Sequence, residues 1–373
     1  MTLKKYIWSP LHKWGALVFG VLIMLICATG AILSFEKELL PQTIRSIYYH
    51  NVSDGQQSLK LDEIFYKLNN SDGRVIKTVT LPADASRNWV ITYADAPQTE
   101  VFINPYSGEV AGVFTYKNSF FSTVRELHRF LLIGKTGRLI TGSVSFIFAA
   151  ILISGLFLNL PVSLRKLRNC FVLDWRGNRY RKTFRLHIVL GWYTALFLLV
   201  MALTGPFWSF GWYNGMLSSV FGIERTVSRR DRAEALEQPL KTLTPEYLAQ
   251  VDNKLRVLES VHTGYKELRF TVPEVADTSF TITLVPTSQI HSRQTDLFTY
   301  RLSDGVLQKE SLFKTKPLQE TFRMWVFAIH TGAWGGWVGK LLYFVAALSG
   351  VILPVTGYLL WWYKKNNAKR KQL

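Results

Sequence analysis

Seven histidines are the residues of this chain best suited to chemistry, and four of them keep register with one another. His12 precedes Thr29-Gly30 by the spacing at which His187 precedes Thr204-Gly205, and Ser34-Phe35 is matched by Ser209-Phe210, all at an offset of 175 residues. His128 and His330 match at an offset of 202. That second match also covers Gly134 with Gly336, Gly137 with Gly339, Arg138 with Lys340, and Ser154-Gly155 with Thr356-Gly357. Two imidazoles facing each other across a helix bundle are a standard axial set for a b-type haem. Small residues one turn from the rings leave room for a porphyrin: Gly15 and Ala16, Gly191, Gly332 and Ala333. His128 departs from this, with Arg129 and Phe130 beside it. Zinc or copper normally takes three or four protein ligands, whereas each matched pair offers two nitrogens and no carboxylate within the apolar runs. His50, His262 and His291 have no repeat partner and read as ordinary exposed side chains.

The elements that must carry these rings are apolar. Four stretches, about 14–35, 139–160, 188–210 and 341–362, are long enough to span a bilayer, which takes about 20 residues. The first is too long for a cleavable signal sequence and reads as a retained span. Both repeats run span, long polar segment, span. Such parallel repeats are related by an axis along the membrane normal, which brings His12 opposite His187 and His128 opposite His330. Trp8, Trp14, Trp192, Trp212, Trp334, Trp337, Trp361 and Trp362 border the spans as aromatic belts. The Ser/Thr-Gly pairs read as sites of close helix approach.

A net charge of +18 first suggests nucleic acid, but its distribution excludes that partner. Residues 1–13, 162–185 and 364–373 hold 16 basic residues and one acid, Asp174, while segments 37–130 and 213–335 together hold 25 basic and 24 acidic residues. Excess charge beside the spans is the positive-inside pattern. The expected order is a cytoplasmic N-terminus with the first span (1–36), an outer segment (37–130), the second span (131–161) and a basic cytoplasmic loop (162–185). The third span (186–212), a second outer segment (213–335), the fourth span (336–363) and a cytoplasmic tail (364–373) follow. The outer segments read as small α+β domains. In the first, a helix over 59–69 presents Leu61, Ile64, Phe65 and Leu68, followed by strands RVIKTVTL, NWVITY and EVFI. In the second, a helix over 245–258 is capped by Thr244 with Pro245 behind it, followed by ELRFTV, SFTITLV and DLFTYRL. Cys27 and Cys170 are too few and wrongly placed for a disulfide on the outer side. No Cys-x-x-Cys-His, Gly-x-Gly-x-x-Gly or Walker motif occurs, which excludes covalent haem attachment and an obvious nucleotide domain.

Four spans, histidines at the heads of paired helices and an outer segment containing INPYSGEVAGVF resemble the PepSY-associated transmembrane family. That family includes iron-regulated bacterial inner-membrane proteins and siderophore-iron reductases. The resemblance covers nearly the whole chain. It implies two PepSY-like periplasmic domains, two b-type haems ligated by His12, His187, His128 and His330, and electron transfer to a ferric siderophore. Some members append a cytoplasmic flavoprotein module. Here ten residues follow the last span, so a quinol or a separate cytoplasmic reductase is the expected donor. The chain thus reads as an integral membrane protein of the bacterial inner membrane. Its fold would be a four-helix bundle from a parallel two-fold repeat with two α+β periplasmic domains, working as a haem-dependent oxidoreductase. Two rival readings are a small-solute transporter, which would want polar groups at mid-membrane, and a membrane-anchored PepSY binding or regulatory module, which leaves the matched histidines unexplained.

Overall fold

A computed structural model describes residues 4–51, 57–72, 74–161, 163–223, 244–274, 277–287 and 294–370. His291 lies outside them. The helices are α1 (Ser9–Ser34), α2 (Glu36–Thr43), α3 (Arg45–Tyr48), α4 (Leu61–Asp72), α5 (Phe120–Phe130), α6 (Gly134–Leu158), α7 (Leu164–Phe171), α8 (Arg179–Thr204), α9 (Gly211–Val220), α10 (Pro245–Val261), α11 (Leu318–Thr331) and α12 (Gly336–Arg370). The strands are β1 (Ile76–Pro82), β2 (Trp89–Tyr93), β3 (Thr99–Ile103), β4 (Val110–Thr115), β5 (Tyr265–Thr271), β6 (Ser279–Pro286), β7 (Asp296–Arg301) and β8 (Leu307–Ser311). They divide between two compact units.

The helical unit holds residues 1–36, 120–223 and 325–373. Four of its helical stretches are long and apolar enough to cross a membrane: Tyr6–Ser34, Gly134–Leu158, Arg179–Trp208 and Ala333–Asn367. α1 packs on α6 and α12, and α8 packs on the same two, so α1 and α8 stand on one diagonal. Small residues set the spacing. A Cβ on Gly20 would meet the Tyr358 hydroxyl at 2.8 Å and one on Gly350 would meet Cys27 Sγ at 2.6 Å, which holds α1 hard against α12. The Tyr358 hydroxyl also donates to Leu17 O (2.9 Å). Ile23, Cys27, Leu198 and Ala346 are buried along the bundle. The terminal signals act locally: Pro10 opens α1, and the Asn178 side chain caps α8 by accepting from Arg181 N at 3.0 Å.

The other unit, residues 37–119 and 224–324, is built around one eight-stranded antiparallel sheet in the order β4-β3-β2-β1-β5-β6-β7-β8. Both long polar segments contribute four strands, and they join edge to edge through β1 and β5, with Thr78 opposite Thr271 and Leu81 opposite Leu268. The two α+β segments therefore share a single core. Leu61, Ile64, Phe65 and Leu68 of α4 and Leu248, Val251, Leu255 and Leu258 of α10 pack with Val79, Ile91, Leu268, Phe270 and Ile282. Alternation in β2 and β6 gives one apolar face to that core. Thr244 caps α10 by accepting from Tyr247 N (3.3 Å).

Candidate functional site

Each matched histidine lies on one helix and is fastened to another. His12, in the first turn of α1, donates Nδ1–H to Ile151 O of α6 (2.9 Å), with Ser154 Oγ at 3.3 Å. His187 of α8 is bonded to Thr356 Oγ1 of α12 (2.7 Å). His128 of α5 reaches Ile26 O (3.0 Å) and Thr29 Oγ1 (3.1 Å) of α1. His330 of α11 reaches Thr204 Oγ1 of α8 (2.9 Å). The structure brings His12 and His187 together with ring centroids 6.0 Å apart, and His128 and His330 with centroids 6.5 Å apart.

The hydroxyls determine which ring nitrogen carries the proton. Every one of them donates its own hydrogen back along its helix: Thr29 to Leu25 O (2.7 Å), Ser154 to Ile151 O (2.8 Å), Thr204 to Val200 O (2.6 Å) and Thr356 to Leu353 O (2.8 Å). Their oxygens can therefore only accept from the imidazole, as the Ile151 and Ile26 carbonyls must. All four rings are Nδ1–H tautomers with a bare Nε2, the lone pair a metal would take. Burial lowers the pKa of His128 and His330 to about 4 and about 3, which keeps these rings neutral at physiological pH.

The glycine after each hydroxyl makes the seat. A Cβ on Gly155 would meet His12 Cε1 at 2.8 Å, and one on Gly30 would meet His128 Cε1 at 3.1 Å. The matching distances are 3.7 Å from Gly205 to His330 and 3.9 Å from Gly357 to His187. The Ser/Thr-Gly pairs, expected to serve helix approach, thus hold the rings. Their signal was present in the sequence as a repeat tied to the histidines. Other expectations shift as well. Gly15 packs on Ile151, and Gly332 is a turn residue with φ 73°, so neither leaves room beside a ring. Ala16 and Gly191 do line a cavity next to His12 and His187, as do Trp192 and Trp361 from the expected aromatic belts. Trp208 stacks edge-on to His330 at 5.5 Å. His50 is not a plain surface group: its Nδ1 bonds Asn88 Oδ1 (2.9 Å) and its ring meets Tyr106.

With a metal–imidazole bond of about 2 Å, two rings trans on one ion have centroids about 6 Å apart, close to both observed separations. Among the described residues no three His, Cys, Asp or Glu side chains converge. A pair of this kind suits a metal that brings its own equatorial ligands. The cavity at His12 and His187, about 350 Å³, is walled by Phe148, Leu152 and Leu353, rimmed by Lys13 and Lys364, and has no acid in its lining. An apolar, flat macrocycle with anionic substituents fits those walls and that rim.

Four apolar helices able to cross a membrane, joined in sequence to an antiparallel sheet, define a multi-pass membrane protein with a β-rich unit. The family model for the PepSY-associated TM region matches residues 9–364, and the chain belongs to that family. No curated protein matches it.

Proposed function

We propose that this protein is a di-haem transmembrane electron carrier that reduces ferric siderophore in the periplasm for iron uptake. The observation that carries the reading is the pair of histidine pairs, 6.0 and 6.5 Å between centroids, with all four Nδ1 atoms committed to a neighbouring helix. His12 with His187 and His128 with His330 would each hold one b-type haem, which supplies a one-electron Fe(III)/Fe(II) couple. The seats orient the rings, and at His12 and His187 the cavity lining is mainly apolar. In this reading the halves are related by a parallel two-fold repeat, the termini are cytoplasmic, and the sheet-bearing segments are periplasmic in the inner membrane. The ligand pairs then lie near opposite faces, with His128 and His330 on the outer side as the exit. One electron delivered to chelated Fe(III) gives Fe(II), which hard oxygen ligands hold less strongly. Buried Ile23, Cys27, Leu198 and Ala346 fill the bundle with apolar contacts, which favours an electron carrier over a solute path.

Pyridine haemochrome assay of protein purified from haem-replete cells should give about two b-type haems per chain, and a colourless preparation sinks the reading. In proteoliposomes with pre-reduced protein, an impermeant ferric siderophore outside should reoxidise the haems and yield Fe(II). The His330→Ala variant should stay reduced while keeping the haem at His12 and His187. If that variant reduces the chelate at the wild-type rate, the exit is elsewhere.

A further inference from the structure

The four seats are alike in residue type and unlike in geometry. His12 and His128, both from the first half of the chain, press close to their glycines and reach main-chain carbonyls at 2.9 and 3.0 Å. For these two the hydroxyl is the longer contact, at 3.3 and 3.1 Å. His187 and His330, from the second half, stand farther from their glycines and take the hydroxyl as the close partner, at 2.7 and 2.9 Å. Two independent distances, to the glycine and to the acceptor, sort the rings in the same way. Each facing pair contains one ring of each kind.

We propose that Thr204 and Thr356 are the positioning residues that set the donor strength of one ligand in each pair, while the other ligand is held by the main chain. The inference rests on the di-haem reading. Donation from Nδ1–H to an acceptor pushes electron density onto Nε2 and strengthens it as a ligand for the more highly charged metal. A carbonyl acceptor cannot be removed by substitution. A threonine hydroxyl can, and its loss leaves the His187 or His330 ring with only a weaker main-chain partner, Leu353 or Met201. Ser154 and Thr29 are backed by carbonyls at full hydrogen-bond distance, 2.9 and 3.0 Å, so their loss is buffered more strongly. The chain therefore carries one tunable and one fixed ligand at each site, and residues 204 and 356 address the two sites separately.

The test uses full-length protein in lipid nanodiscs. Thr356→Val should raise the midpoint potential of one haem and change its low-spin EPR signature, leaving the other haem as in wild type. Thr204→Val should do the same to the other haem. Haem retention at the affected site should fall about 10–100-fold, the usual cost of a lost outer-sphere partner. Thr→Ser at either position should restore wild-type values, and Ser154→Ala should change them less than Thr356→Val. Val variants with wild-type potentials, EPR signatures and retention overturn the inference while leaving the di-haem reading intact. A wild-type protein without haem overturns that reading instead. Nitrogen-15 shifts of the histidine side chains in haem-free wild-type protein test the seats without any variant. Nδ1–H is expected at His187 and His330, and Nε2–H at either refutes the assignment.

Discussion

The two histidine pairs reach similar separations by different means. His12 and His187 ride on α1 and α8, continuous helices that are themselves apolar enough to cross a membrane. Their geometry follows from how whole helices pack. His128 and His330 ride on α5 and α11, short helices that stop before α6 and α12 begin. Each stop is a backbone reversal. Leu131, Leu132 and Gly134 have φ 47°, 61° and 59° in the first half, and Gly332 and Gly336 have 73° and 59° in the second. Gly137 and Gly339 then pass directly against the carbonyls of Phe130 and Gly332. A histidine on a continuous helix is placed by the bundle, whereas a histidine before a break is placed by a turn that must itself be stabilised.

That contrast can be broken selectively. The largest effect is expected from Gly137→Ala, because a Cβ there runs into a backbone carbonyl that cannot move aside. On the di-haem proposal, the haem that His128 and His330 would hold should be lost, so that pyridine haemochrome falls from about two to about one per chain. Retention of both sinks the idea that this turn places the pair. Next comes Gly155→Ala, whose Cβ meets the His12 ring at 2.8 Å; on the same proposal, the haem that His12 and His187 would hold should be bound about 10–100-fold less tightly. Gly357→Ala, with 3.9 Å to His187, should be close to neutral in the same competition assay against apomyoglobin.

Smaller still is Leu132→Gly. A leucine at φ 61° stores about 1–2 kcal/mol, and the side chain is exposed, so little packing is lost. Glycine returns part of this as chain entropy, leaving a net gain of about 1 kcal/mol or less. Thermal unfolding should shift upward slightly, and a fall would show that the left-handed turn is not strained. The smallest change is Glu36→Gln. Arg125 of α5 donates to both Glu36 carboxylate oxygens at 2.7 Å. The arginine is part-exposed, so losing the charge should cost about 0.5–1 kcal/mol. It should loosen the His128 site alone, seen as faster haem loss there.

Much of the positioning was readable in the chain, and what escaped has physical reasons. The four apolar runs, the apolar face of α4 and the Thr244–Pro245 start of α10 all lie where local pattern puts them. The interruption between His128 and α6 was hidden, because Leu131 and Leu132 are the last residues one expects at positive φ. β4 and β8 also escaped notice. As edge strands they have little buried face, and LQKES shows no apolar alternation. The β1–β5 ladder had no local signal at all, since its partners are far apart in sequence. At the site, residue types and spacing were visible, but the role of Ser/Thr-Gly was not. A small-residue motif in an apolar helix ordinarily means packing, and only the ring distances distinguish a seat from a contact.

The joined sheet imposes a timetable on synthesis. β1 can pair with β2 as soon as both emerge, but its other edge waits for β5, about 190 residues later. At about 5–20 residues per second that wait lasts roughly 10–40 s. During it the half-built sheet carries an open edge at its centre, the kind of surface that recruits stray strands. Lys77 and Pro82 sit on that waiting strand, one exposed charge and one residue with no N–H to offer. They guard an edge that the finished protein no longer has.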